Sequence, residues 1–173
     1  MKQQLRRTDL VWLLATPLYV LLGTLRHELS HAIVALLRGA VIEEFVFWPT
    51  WSEWGFRWGY VVWYGRKALM VTAAPYLCDL ATFIIVFVIC TRVRVRRHWL
   101  WINLVVIGLI SPLVNSAYNY VRGFMVVGDV ARLLQELPDP LVHAYFAVTL
   151  VIYAYGLFLV LKPKSTAAPH ASD

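Results

Sequence analysis

Three side chains in the stretch TLRHELSHA, residues 24–32, have the types and the spacing for metal chemistry. If this stretch is helical, His27 and His31 lie one turn apart on the same face, so both imidazoles can reach one metal ion. Glu28 projects beside them, where it can exchange a proton with a water molecule on that ion. The pattern HExxH therefore predicts His27 and His31 as ligands of one Zn2+ ion and Glu28 as a general base.

The residues around this stretch are apolar, with VWLLATPLYVLLG before it and IVALL after it. Each ionisable side chain deep in a bilayer costs about 2.5–3.5 kcal/mol on insertion scales, and a divalent metal with paired charges would offset that cost. The alternative is a purely structural role. In that case the two histidines face a partner helix, and Arg26 pairs with Glu28 near the membrane edge.

The composition is that of a membrane protein. The chain has 173 residues, of which 60% are hydrophobic and 15% charged, and its mean hydropathy is +0.63. The formal net charge of +6 does not indicate nucleic-acid binding, because arginines lie at the ends of apolar runs, where they contact lipid headgroups. These arginines are Arg6, Arg7, Arg92, Arg94, Arg96 and Arg97. The composition thus predicts the lipid bilayer, and no nucleic acid, as a partner.

The order of apolar and polar segments predicts an all-α polytopic membrane protein with about four transmembrane helices. Each apolar segment reaches the ~20 residues that a bilayer requires. These segments are residues 10–37, 68–90, 99–121 and 141–161. The segment GFMVVGDVARLLQELPDP, between the third and fourth, predicts a short helix or a re-entrant piece. We expect one membrane-embedded domain over residues 1–162 and a disordered tail over 163–173.

A membrane-associated β-hairpin is predicted between the first and second helices. Aromatic and β-branched residues over 41–48 and 56–64 flank the turn-like PTWSEWG. Its tryptophans indicate a position at headgroup level. The alternative is an extramembrane loop that carries an aromatic belt.

A catalytic zinc site usually has three protein ligands and one open position, so a third ligand must come from elsewhere in the chain. Asp129 lies in a polar break between two apolar segments, where a carboxylate can face the bundle interior. The spacing alone does not choose between it and the other candidates, which are Asp79, Glu43, Glu44 and His143.

Four pieces of the chain resemble the site-2 protease family of intramembrane zinc metalloproteases: HELSH, WGYVVW, AAPYLCD and NYVRGFMVVGD. The resemblance implies a zinc metalloendopeptidase of a prokaryotic cytoplasmic membrane, with Asp129 as third ligand and Asp79 as the reserve. It also implies that Asn119 or Asn115 donates to the developing oxyanion. Three features depart from the family pattern. The N-x-x-P-x-x-x-x-D-G spacing of the family is not kept, and its prolines are missing. Asp79 stands where the family usually has asparagine, and Asp129 follows Gly128 instead of preceding a glycine.

The implied substrate is a transmembrane protein or peptide, which must unwind locally before its carbonyls can react. Gly59, Tyr60 and Val61, in WGYVVW, are predicted to bind it in extended form along an edge strand. A rival from another class is a non-catalytic membrane protein, either a pseudoprotease that binds helices or a metal-handling protein. The sequence does not indicate the oligomeric state. The Lys and Arg distribution favours cytoplasmic termini, whereas the resemblance implies the opposite orientation.

Overall fold

The computed structural model describes residues 6–52, 55–65 and 69–162, and the predicted tail at 163–173 lies outside these ranges. Six α-helices are described. They are α1 (Thr16–Leu37), α2 (Leu69–Arg92), α3 (His98–Val105), α4 (Ser111–Phe124), α5 (Asp129–Glu136) and α6 (Asp139–Leu161). A 3-10 helix, Arg7–Ala15, leads into α1, and a π-helical turn, Val106–Ile110, joins α3 to α4.

Four helical stretches are long and apolar enough to cross a membrane, which confirms the predicted number. They are Arg7–Leu37, Leu69–Arg92, His98–Phe124 and Asp139–Leu161. Their outer faces carry large apolar side chains, and Leu14, Leu37 and Val151 are 82%, 80% and 67% exposed. Apolar surface on this scale is unfavourable in water and favourable against acyl chains.

The third of these stretches changes its helical type before Pro112. A proline lacks the N–H that would bond to the carbonyl four residues earlier, so the regular α-helical ladder is interrupted just ahead of it. The π-helical turn Val106–Ile110 occupies this position. The stretch therefore remains one continuous helix although its interior contains a proline.

The predicted hairpin is present, but its strands are shorter than predicted and form two separate ladders. Strand β1 (Val41–Val46) pairs antiparallel with β4 (Tyr60–Tyr64), while β2 (Thr50–Ser52) pairs with β3 (Gly55–Arg57). Pro49, which has no N–H to donate, lies in the gap between β1 and β2. The β1–β4 ladder packs on α1, so the hairpin lies beside the helix that carries HExxH.

A wholly apolar cluster, here called the apolar core, joins α2, α6 and the third membrane-spanning stretch. Its buried members are Phe83, Val86, Trp101, Ile102, Val105, Leu109, Tyr153 and Val160. The helices approach closely at two glycines. A Cβ at Gly156 would lie 2.7 Å from Cζ of Phe83, and one at Gly108 would overlap the Val86 side chain.

Candidate metal centre

Helices α1 and α5 bring together the three predicted metal ligands, His27, His31 and Asp129. Nε2 of His27 lies 3.2 Å from Oδ2 of Asp129, and Nε2 of His31 lies 3.1 Å from the same oxygen. One ligand atom from each residue lies within 4.8 Å of the other two. The fold thus brings together His27 and Asp129, which are 102 positions apart in the sequence, as the third-ligand prediction requires.

The local backbone explains how these side chains meet. Within α1 the two histidines are one turn apart, and their ring centroids are 5.0 Å from each other. The turn between α4 and α5 contains two residues in the left-handed region, Val126 (φ 58°) and Gly128 (φ 89°). Helix α5 begins at Asp129 directly after this turn, so the carboxylate is directed back toward α1.

The contact made by Nδ1 of His31 determines which ring nitrogen carries the proton. Nδ1 lies 2.7 Å from the carbonyl oxygen of Val71, and because a carbonyl can only accept, Nδ1 carries the proton. In the neutral ring, Nε2 then presents a lone pair to the carboxylate of Asp129. Two acceptor atoms at this distance require a cation between them, either a further proton or a metal ion.

The carboxylate of Asp129 stays ionised in this setting. Burial raises the pKa of this carboxyl, but when a further proton lies between the imidazole nitrogens and Oδ2, the hydrogen bonds and charge of His27 and His31 outweigh burial and hold that pKa below the usual range. An ionised carboxylate beside two imidazoles is a donor set that zinc binds readily. The side chain is 18% exposed, so the cluster is not sealed from its surroundings.

Glu28 is buried beside the cluster and faces the beginning of β4. Only 7% of it is exposed. A Cβ at Gly59 would lie 3.0 Å from Cγ of Glu28, 2.7 Å from Cγ2 of Thr24 and 2.8 Å from the Val46 carbonyl oxygen. Gly59 is therefore where the hairpin backbone comes closest to the proposed base, and a larger residue has no room there.

The other two predicted substrate-binding residues lie on β4. Tyr60 pairs with Val46 and Val61 with Phe45 across the ladder. The Tyr60 hydroxyl donates to Oε1 of Glu44 at 2.6 Å, and this hydrogen bond raises the pKa of Tyr60.

The remaining candidates for the third ligand lie away from the cluster. Glu43 and Glu44 are exposed on β1. His143 contacts the Tyr120 hydroxyl through Nδ1 at 2.9 Å. Across residues 6–52, 55–65 and 69–162, the group able to hold a metal is His27, His31 and Asp129.

Asp79 takes part in a buried ion pair and not in the ligand group. Its Oδ1 lies 2.9 Å from Nε and 2.7 Å from Nη2 of Arg26. The Arg26 guanidinium also donates to the Ile107 carbonyl at 3.0 Å and to the Ser111 hydroxyl at 3.2 Å. The structural alternative had paired Arg26 with Glu28. The described partner is instead Asp79, 53 residues away.

Both candidate asparagines have their amide N–H groups engaged. Nδ2 of Asn115 donates to Oδ2 of Asp79 at 2.7 Å and lies 3.1 Å from Nδ1 of His27. Nδ2 of Asn119 lies 3.0 Å from both the backbone oxygen and Oδ1 of Asn115. Asn115 is therefore the asparagine that contacts a metal-site histidine, and Asn119 supports Asn115.

Sequence reasoning missed three neighbours of the cluster. The Trp63 ring stacks on His31 with centroids 6.2 Å apart, and Val71 supplies the carbonyl that holds His31. Tyr76 presents its ring edge-on to His27, with centroids 5.9 Å apart. Its hydroxyl is buried without a hydrogen-bond partner among the residues that the structure describes. An apolar or aromatic residue in a spanning helix carries no motif that would distinguish it from ordinary packing.

Comparisons with models of protein families, with curated proteins and with solved structures found no match to this chain.

Proposed function

We propose that the chain is a membrane-embedded zinc endopeptidase that cleaves peptide bonds within or near transmembrane segments. The observation that carries the proposal is the meeting of His27, His31 and Asp129 beside the buried carboxyl of Glu28. These four side chains come from two helices that are far apart in sequence. Burying these ionisable side chains among long apolar helices costs free energy, and a bound cation would offset that cost.

The geometry of the ligand group supports zinc. With bonds of about 2.0–2.1 Å, the ligand atoms of a tetrahedral zinc site lie about 3.3 Å apart. The separations of the two Nε2 atoms from Oδ2 of Asp129, 3.1 and 3.2 Å, are close to that edge length. His31 already has its proton on Nδ1, which leaves Nε2 free to coordinate.

His27 needs one adjustment before it can coordinate through Nε2. Coordination there places the ring proton on Nδ1, which then needs an acceptor. Asn115 presents its amide nitrogen to Nδ1 at 3.1 Å, and the same nitrogen donates to Oδ2 of Asp79 at 2.7 Å. Turning the amide oxygen toward the ring would supply the acceptor and would give up the hydrogen bond to Asp79. The three ligand residues fit zinc when Asn115 exchanges its bond to Asp79 for one to His27.

The chain's own residues divide the chemistry between them. When bound, zinc would lower the pKa of a coordinated water and polarise the substrate carbonyl. Glu28 would take a proton from the attacking water and deliver it to the leaving amine, so the proton count balances over the reaction. The low exposure of Glu28 keeps competing water away from this transfer.

The hairpin is the part of the chain suited to hold an extended substrate. Among the described strands, β4 is paired on one side only, with β1, which leaves a second edge for a substrate strand. Gly59 brings the beginning of β4 against Glu28. In this proposal Gly59, Tyr60 and Val61 bind an unwound segment of a transmembrane protein or peptide close to the base.

The proposal includes a multi-pass location in a prokaryotic cytoplasmic membrane. The four long apolar helices support the membrane part. The choice of membrane follows from the resemblance to site-2 proteases that the motifs carry.

The test combines zinc stoichiometry with cleavage of single-span substrates in proteoliposomes. Glu28→Gln should keep one zinc per chain and stop cleavage, while His27→Ala should lose both. Glu136→Gln, an exposed glutamate at the end of α5, is the matched control and should cleave normally. Unchanged cleavage in Glu28→Gln would refute the base assignment.

The same experiment separates the rival function. A chain that binds zinc stoichiometrically and cleaves no helix would be a pseudoprotease or a metal-handling membrane protein. If the purified chain contained no stoichiometric metal, the cluster would be neither a catalytic zinc site nor a non-catalytic metal site.

A further inference from the structure

Tyr76 is a buried residue of α2 whose hydroxyl has no partner. The residue is 1% exposed, and no described residue forms a hydrogen bond with its hydroxyl. Its ring lies edge-on to two other rings, with centroid distances of 5.9 Å to His27 and 5.0 Å to Phe146. The side chain is therefore fixed between the proposed metal site and α6.

A buried hydroxyl without a partner is uncommon because it loses its hydrogen bonds to water and gains none in return. Phenylalanine would fill the same space without that loss. The Tyr76 ring contacts the ring of His27, whose Nε2 lies 3.2 Å from Oδ2 of Asp129. The residue that carries the unpaired donor thus packs directly against the ligand cluster.

The asparagines that the resemblance offers as oxyanion donors are already engaged. The Asn119 amide nitrogen contacts both oxygens of Asn115, and the Asn115 nitrogen contacts Asp79 and His27. Using either asparagine for the substrate would break a buried hydrogen bond. The Tyr76 hydroxyl has no such bond to break.

We infer that Tyr76 is a catalytic residue whose hydroxyl donates a hydrogen bond to the substrate carbonyl oxygen as negative charge develops on it. The proton stays on the phenol throughout, and no bond of Tyr76 forms or breaks. This inference rests on the proposed endopeptidase function, and it assigns to Tyr76 the task that the sequence had given to Asn119 or Asn115. Donors aimed at a developing oxyanion in a buried site are among the largest contributors to catalysis.

The test compares Tyr76→Phe with Tyr153→Phe in the full chain. Tyr153 is the matched control, because its hydroxyl is also buried and its ring packs on Phe83 in the apolar core. In Tyr76→Phe, kcat should fall about 10²–10³-fold, the loss measured for one oxyanion donor, while KM and zinc stoichiometry stay unchanged. Tyr153→Phe should cleave at the wild-type rate.

A second readout does not depend on turnover. A peptide hydroxamate presents an anionic oxygen at a zinc site, and its affinity can be measured by calorimetry on the zinc-loaded chain in detergent. Tyr76→Phe should weaken hydroxamate binding about tenfold, the size of one lost hydrogen bond to a charged group. Tyr153→Phe should bind it as the wild type does.

Each outcome decides between the inference and its alternatives. Wild-type kcat and wild-type hydroxamate affinity in Tyr76→Phe would overturn the inference and leave the proposed function standing. A loss of zinc or of folded protein in Tyr76→Phe would show a structural role and also overturn it. A wild-type chain that binds zinc in no preparation would overturn both the inference and the proposed function.

Discussion

Two regions of the helix bundle are buried in different ways. The apolar core around Phe83 and Leu109 contains aliphatic and aromatic side chains, and its helices pack closely enough to need Gly108 and Gly156. The region around His27 and His31 instead encloses imidazoles, carboxyls and a guanidinium, which are buried or half-buried. Its members are Arg26, His27, Glu28, His31, Asp79, Asn115 and Asp129.

The difference separates what the fold needs from what a function needs. Between membrane helices, close packing of apolar and small side chains is sufficient for association. Buried charges add a desolvation cost and seldom improve stability over apolar residues of similar size. The apolar core therefore accounts for how the helices assemble, and the polar region is explained by a task such as metal binding. Variants in the two regions should accordingly fail in different assays.

Among the variants that distinguish the two regions, His31→Ala should have the largest effect. This variant removes one of three zinc ligands, so we expect stoichiometric zinc and all cleavage to be lost while the chain still folds. Metal analysis after purification and thermal unfolding in detergent measure the two effects. His143→Ala is the control histidine, because His143 contacts the Tyr120 hydroxyl and lies outside the ligand group. Equal zinc content in the two variants would contradict the ligand assignment.

The sequence predicts the fold well where a single physical rule dominates. Length and hydropathy are sufficient to predict the four long helices. The aromatic and β-branched residues are sufficient to predict the hairpin. The detail that differs is the extent of the strands, because the predicted strands form two short ladders with Pro49 in the gap between them. Hydropathy also carries no signal for the π-helical turn Val106–Ile110, which precedes Pro112.

The site is predictable only in its local part. One turn of α1 relates His27 to His31 in the sequence itself. The pairing of Arg26 with Asp79 links residues that are 53 apart in sequence, and no periodicity encodes such a contact. The same is true of Tyr76, whose place beside His27 depends on how α1 and α2 pack. Tertiary packing, and not local propensity, decides these partners.

The Arg26–Asp79 pair offers the next largest effect. Asp79→Leu leaves the Arg26 guanidinium without its counter-ion, which should reduce the free energy of unfolding by about 3–5 kcal/mol. The double variant Arg26→Met/Asp79→Leu removes both charges and should recover most of this loss. Chemical unfolding in mixed micelles measures both variants. Equal instability of the single and double variants would show that the pair itself does not cause the effect.

The contact between the hairpin and the base predicts a smaller effect that is confined to activity. In Gly59→Ala the added Cβ meets Cγ of Glu28 and Cγ2 of Thr24, at 3.0 and 2.7 Å before relaxation. A displaced base can cost about 10²-fold in rate, so cleavage should fall by up to that factor while zinc stays bound. Val41→Ala, at a residue that is 67% exposed on β1 of the same hairpin, is the control and should cleave normally. Wild-type cleavage by Gly59→Ala would show that the hairpin is not part of the active site.

The smallest expected effect is in the apolar core, where Gly156→Ala should destabilise the chain without changing its chemistry. The new methyl would lie 2.7 Å from Cζ and 2.9 Å from Cε1 of Phe83, so α2 and α6 must separate or the ring must move. Overpacking of this kind costs about 1–3 kcal/mol. Phe83→Leu in the same chain makes room and should recover part of the loss, because the two changes share one contact. Zinc stoichiometry and kcat of the folded fraction should equal those of the wild type. A loss of zinc in Gly156→Ala would mean that the apolar core and the metal region are mechanically coupled.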